Sequence, residues 1–133
     1  MHLNQVTVGS TDYPASVAFY TTLGLKQIVD APPRYARFET PGGETFSIHR
    51  VDAIGSPATV IYFEIDALDT RVRELKAAGL AFESGPRDES WGWREARFRD
   101  PSGNMICLYR AGDNRRFPPW RIDLTDEEME NSQ

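Results

Sequence analysis

Three side chains in this 133-residue sequence carry the chemistry of a reaction centre: the imidazole of His49, the carboxylate of Glu64 and the thiol of Cys107, the one cysteine present. His49 or Glu64 would serve as an acid–base group, and Cys107 as a nucleophile if a base stood beside it. A second set suits binding better than reaction. Tyr62, Tyr109, Trp91 and Trp93 offer flat faces for a planar ring, while Gln5, Arg37 and Ser47 offer polar contacts to orient it. Cys107 has no evident base nearby, and an inert buried thiol is expected there. His2 is a lone terminal histidine and is expected to be solvated.

Whether these groups meet depends on the elements that carry them. The stretches "QVTVGSTDYPASVAFYTTLGL" (5–25) and "VIYFEIDALDTRVRELKAAGL" (60–80) align without a gap at an offset of 55. Each reads as strand, helix, glycine, strand. In the first, Asp12 is the expected N-cap with Pro14 in the opening turn, Val17, Tyr20 and Leu23 form the apolar face, and Gly24 ends the helix. In the second, Asp66 is the expected cap, and Leu68, Val72 and Leu75 form the stripe before Gly79. The strands that follow, "RYARFET" and "ETFSIHR", join through Pro41-Gly42-Gly43, and "WREARFR" and "NMICLYR" join through Asp100-Pro101-Ser102-Gly103. Both joins have hairpin-turn chemistry. The longer loop around "RDESWGW" absorbs the extra residues of the second copy.

The expected fold is therefore α+β. Two tandem βαβββ modules form a cup-shaped mixed β-sheet with the helices outside. Module one spans 1–50, a linker 51–59 and module two 60–110, within a single domain of 1–112. A C-terminal strap and acidic tail occupy 113–133. Strand parity then sorts the side chains. If Phe38 pairs with Phe46, both rings face the helices together with Ala36 and Ile48. Tyr35, Arg37, Ser47 and His49 face the concave side. So do Val60, Tyr62 and Glu64, and Met105, Cys107 and Tyr109. Trp91 and Trp93 are placed near the cavity mouth.

The stretches "SVAFYTTLGL" (16–25) and "RDPSGNMICL" (99–108) resemble the two signature stretches of the vicinal oxygen chelate superfamily, which includes glyoxalase I, extradiol dioxygenases and bleomycin-resistance proteins. The resemblance covers roughly residues 2–112 and implies a homodimer with cavities shared between subunits. It also implies four metal-ligand positions, on the first and fourth strands of each module. They fall on Gln5, Ser47, Val60 and Cys107. Zinc takes imidazole, thiolate or carboxylate donors, and magnesium and calcium take several oxygens. A valine, a serine, an amide and a thiol fit neither, so no metal and no cofactor are expected. Gln5 is expected to be a buried amide facing the cavity. A displaced metal site would have to be built from His49, Glu64 or Cys107.

Charge narrows the partners. The net charge of −5 lies entirely in the tail after Arg121, leaving residues 1–121 balanced at 15 acids and 15 bases. A neutral body with no basic stripe argues against nucleic acid. No run reaches the ~20 apolar residues of a membrane span, no signal peptide is visible, and a single cysteine fits a reducing cytoplasm. The leading expectation is a metal-free small-molecule-binding protein of the glyoxalase/bleomycin-resistance type that sequesters an antibiotic or metabolite. The alternative is a metal-dependent lyase or dioxygenase resembling glyoxalase I, with a relocated metal site.

Overall fold

The computed structural model describes residues 3–56 and 59–122. His2 and the acidic tail from residue 123 lie outside the described residues. The chain runs β1 (Gln5–Ser10), α1 (Tyr13–Leu23), β2 (Lys26–Ala31), β3 (Tyr35–Glu39), β4 (Thr45–Arg50), β5 (Val60–Glu64), α2 (Leu68–Ala77), β6 (Phe82–Asp88), β7 (Arg94–Arg99) and β8 (Met105–Arg110), ending in a 3-10 turn at Gly112–Asn114. This is βαβββ twice. Each module makes its own four-stranded sheet, ordered β1-β4-β3-β2 and β5-β8-β7-β6, with the first strand parallel to the last and the others antiparallel. The fold is the expected α+β architecture of two repeated modules. Among the described residues no helix is long and apolar enough to cross a membrane.

Local chemistry explains the elements. Asp12 caps α1 by accepting from the Ala15 amide at 3.1 Å, and Pro14 sits in the first turn, where its missing N–H costs nothing. The helix stops at Gly24, whose φ of 116° leaves the right-handed region, and the Leu25 amide returns to the Tyr20 carbonyl at 3.0 Å. The second helix repeats this ending with Gly79 (φ 101°) and Leu80 bonding back to Leu75 at 3.0 Å. Its beginning differs. The α2 cap is Ala67 with no side-chain bond, so Asp66 does not cap it. The acidic group of that first turn is Asp69, and it is held by Arg94 of β7 at 2.9 Å instead.

Register follows parity. Phe38 faces Phe46 across the β3–β4 hairpin, and Ala36 faces Ile48. These side chains, with Val8, Tyr20, Ile61, Leu68, Val72, Leu75, Ala96, Phe98, Ile106 and Leu108, form one core that spans both modules. Phe19 of α1 reaches Phe98 of β7 at 5.8 Å between ring centres, and Phe46 meets Phe63 at 6.2 Å. The helix-bearing faces of both sheets thus close on a common core. Their other faces remain for function.

A buried polar lock joins the modules. Asp100, in the β7–β8 turn, accepts from Tyr20 Oη of α1 at 2.5 Å, from the amides of Ser102 and Asn104 at 3.0 and 2.8 Å, and from Asn104 Nδ2 at 2.9 Å. Asn104 Nδ2 also donates to the Gly9 carbonyl of β1 at 2.8 Å. Gly9 has no room for a side chain, since a Cβ there would lie 2.7 Å from Val51 of the linker.

Candidate functional site

On the first sheet, the face away from the helices is polar. Thr7 and Ser47 share a hydrogen bond of 2.5 Å between hydroxyls, and Arg37 Nε donates to Tyr35 Oη at 2.8 Å with its guanidinium 5.4 Å from the same ring. The Ser47 hydroxyl, with Arg37 and Gln5, draws the Tyr35 phenol below its ordinary pKa against the opposing effect of burial. Gln5 is exposed, not buried, and its carbonyl accepts from Thr45 Oγ1 at 2.9 Å. It lies on the edge strand, where a sheet neighbour covers it on one side only. His49 is exposed at the end of β4, opposite Tyr35. Among the described residues Arg37 meets Tyr35 and no carboxylate.

On the second sheet, the corresponding face is aromatic. Trp93 stacks on Tyr109 with centres 4.5 Å apart and planes 18° from parallel. Tyr62 stands edge-on to both, 6.1 Å from Trp93 and 5.9 Å from Tyr109. The register produces this panel, because Tyr62 lies beside Cys107 and Glu95 lies opposite Tyr109. Tyr109 is buried, Trp93 half-buried and Tyr62 exposed, so the panel runs from the interior out to solvent. Trp91 lies in the turn before β7, with its ring exposed.

Beneath the panel are Glu95, Arg97 and Cys107. Glu95 is 4% exposed; its Oε1 accepts from Arg97 Nε at 3.0 Å, and its buried Oε2 has no partner. The Arg97 guanidinium lies 5.9 Å from the Tyr62 ring centre. Arg97 also borders a hollow of about 530 Å³ walled by Val60, Met105 and the linker at Ile54–Ser56. A larger apolar cleft of about 650 Å³ opens between the edge strands β1 and β5. It is walled mainly by apolar groups such as Val6, Phe46, Ile61 and Phe63, and it brings Gln5 of the first sheet to the same opening as Tyr62 and Glu64 of the second. The smaller hollow carries the guanidinium groups of Arg97 and Arg99 and adjoins the panel only through Arg97.

Cys107 is fully buried, and burial, reinforced by the Glu95 carboxylate, pushes its thiol up to about 12. A thiol that keeps its proton at neutral pH is a packing group here, not a nucleophile. Alkylating reagents should leave it unmodified in the folded protein and modify it once urea unfolds the chain. The shift also fixes a pH response. The fold keeps this contribution below the ordinary thiol value of 9.0; above it the unfolded chain loses the proton first, and stability falls as pH climbs toward 12. Denaturant midpoints measured from pH 8 to 11 check the sign, with Cys107→Ala removing its part of the slope.

Glu64 is held by its own chain. Its Oε2 accepts from the amides of Ala111 and Gly112 at 2.9 and 3.1 Å, and Arg115 approaches Oε1 at 3.6 Å. Trp93 Nε1 donates to the Asn114 carbonyl at 3.1 Å, pinning the same segment. Glu64 and Trp93 thus fasten the start of the strap across the end of the second sheet.

The candidate residues therefore divide into two groups. Gln5, Arg37, Ser47 and His49 stand on the first sheet; Tyr62, Glu64, Trp93, Cys107 and Tyr109 stand on the second. Among the described residues no hydrogen bond or ring contact links the two groups. The four implied metal positions divide likewise, with Ser47 bonded to Thr7, Val60 offering no donor and Cys107 holding its proton. Among the described residues no three His, Cys, Asp or Glu side chains come together. This donor set does not fit a metal. Glu95 is a buried side chain of this face that is absent from the candidates read in the sequence. Its signal was present in "WREARFR", where Ala96 and Phe98 point to the core and leave Glu95 and Arg97 on the open face.

Comparison with known proteins gives the following. The family model described as Glyoxalase/Bleomycin resistance protein/Dioxygenase superfamily matches residues 2–108. A glyoxalase/bleomycin resistance protein/dioxygenase from Nocardioides superimposes with a TM-score of 0.75 at 26% identity, covering 92% of this chain and 90% of that one. A lactoylglutathione lyase from Agrobacterium tumefaciens gives 0.69 at 19% identity, covering 82% and 92%. A bleomycin-binding protein complexed with bleomycin gives 0.68 at 19% identity, covering 83% and 98%. The last two similarities establish the fold and no more.

Proposed function

The chain belongs to the glyoxalase/bleomycin resistance protein/dioxygenase superfamily, and from that premise we propose that it is a small-molecule-binding protein that works without a metal. The observation that carries this reading is the Trp93–Tyr109 stack flanked by Tyr62, which offers a planar ligand a preformed aromatic surface. The donor set favours it too, because a metal-dependent lyase or dioxygenase needs ligands that Val60 and a protonated Cys107 do not supply. Sequestration of a planar antibiotic or metabolite in the cytoplasm is the role we assign. The neutral body speaks against a strongly cationic glycopeptide such as bleomycin and against nucleic acid. The test is quenching of tryptophan fluorescence by acridine, a three-ring planar probe. Saturable quenching at one site per chain is expected; its absence would remove the reading.

We also propose a homodimer in which the polar face of one protomer completes the aromatic face of its partner. The support is that among the described residues no hydrogen bond or ring contact joins the two faces, and that Phe117 and Trp120 of the strap are 56% and 61% exposed. Sedimentation of the full chain should give a dimer. A chain cut after Arg116 keeps the Glu64 and Trp93 anchors and should sediment as a monomer. A cut chain that stays dimeric would exclude the strap from the interface.

A further inference from the structure

Within the second sheet, one polar atom has no place in the architecture. The Glu95 carboxylate stands between Arg97 and the aromatic panel, nine-tenths buried, with one oxygen on Arg97 and the other on nothing. A buried acceptor left unpaired is costly, and a native fold that keeps one calls for a reason, of which a function at that atom is one. The neighbouring Cys107 thiol, which adjoins the Glu95 carboxylate, is only a weak donor, and Oε2 has no hydrogen bond of normal geometry from it. The charge of Glu95 is already balanced by the Arg97 guanidinium at 3.0 Å. What is missing at Oε2 is therefore a hydrogen, not a positive charge.

We infer that Glu95 selects, among planar ligands, those whose ring carries an N–H donor at its edge. The ring lies on the panel of Tyr62, Trp93 and Tyr109, and the donor reaches past Tyr62 to Glu95 Oε2. Tyr62 is the ring able to swing aside, being 48% exposed on an edge strand with a neighbour on one side only. Arg97 remains on Oε1 throughout, holding the carboxylate in place. The hollow beside Arg97 takes whatever the ring carries beyond its donor. Aminated or amide-bearing heteroaromatic compounds have this form, and rings that only accept hydrogen bonds do not.

The inference rests on the ring-binding reading above, and three probes with one ring system separate them. Acridine has the ring with an acceptor nitrogen, N-methylacridinium has the ring with a charge and no donor, and 9-aminoacridine has the ring with amino N–H donors. Calorimetric titration should give 9-aminoacridine an affinity at least about tenfold above the other two, the usual margin of a charge-assisted hydrogen bond. Glu95→Gln presents an amide N–H or a neutral oxygen in place of the carboxylate and should reduce that margin to near unity, with near-UV circular dichroism confirming the fold. Tyr62→Leu should weaken all three probes together. Equal binding of the three, unchanged by Glu95→Gln, would overturn the donor selection and leave ring binding standing. N-methylacridinium binding as tightly as 9-aminoacridine would also overturn it, because charge would then be what is read. Failure of all three probes to bind would remove both proposals.

Discussion

Replacing Trp93 with leucine should weaken acridine binding by about tenfold to a hundredfold, the usual effect of removing one ring from an aromatic stack. Trp93 holds two positions at once. Its face lies on Tyr109 at 4.5 Å and its Nε1 fixes the Asn114 carbonyl, so its loss both exposes Tyr109 and frees the strap. Trp91 is the control. It is two residues away, 38% exposed in a turn, and among the described residues the panel's ring contacts do not include it. Trp91→Leu should change affinity by less than about threefold, as expected for a surface substitution. Calorimetry is the suitable readout, because each variant alters the intrinsic fluorescence. A large loss at Trp91 with none at Trp93 would move the site from the sheet to the loop.

The second large effect is on stability. Asp100→Ala should destabilise the fold by about 3 kcal/mol or more, since it leaves Tyr20 Oη and the amides of Ser102 and Asn104 without their acceptor in a buried setting. Tyr20 makes the loss worse. Its hydroxyl lies in a fully buried ring between the modules, and its pKa is driven far above the ordinary range by burial and by the Asp100 carboxylate. Asp100→Asn keeps an acceptor for the backbone amides and should cost less than half as much. Urea denaturation of the three proteins gives the comparison. If Asp100→Ala were within about 0.5 kcal/mol of the parent, the modules would be held together by apolar packing alone.

That lock explains why one of the two family-like stretches was visible in the sequence yet silent about chemistry. "RDPSGNMICL" contains Asp100, Gly103 and Asn104, which build the turn and tie it to α1 and β1. Its regularity reports how two modules join, and says little about what they bind. Strand parity was legible for a similar reason. The alternation in "RYARFET" and "ETFSIHR" put Phe38 opposite Phe46, and the structure has that pairing. Parity does not say which faces meet, because that depends on how the two sheets pack. Hence Gln5 and Ser47 could be grouped with Tyr62 and Cys107 on one concave side, while the structure keeps them on separate sheets. Glu64 illustrates another limit. Its place on the open face follows from alternation, but its capture by the amides of Ala111 and Gly112 depends on where the chain goes after β8. The place of Glu95 on the open face follows from alternation, but a glutamate in "WREARFR" is indistinguishable in sequence from one half of a surface ion pair. Only its burial and its unpaired oxygen distinguish it.

Metal-independent binding on the aromatic face can be checked in a single titration. The purified protein is titrated with 9-aminoacridine by calorimetry, then dialysed exhaustively against EDTA, returned to metal-free buffer and titrated again. Unchanged affinity and stoichiometry after chelation are the predicted result. Binding that disappears after chelation and returns on adding zinc, nickel, iron or manganese would contradict the account and place a metal in the site.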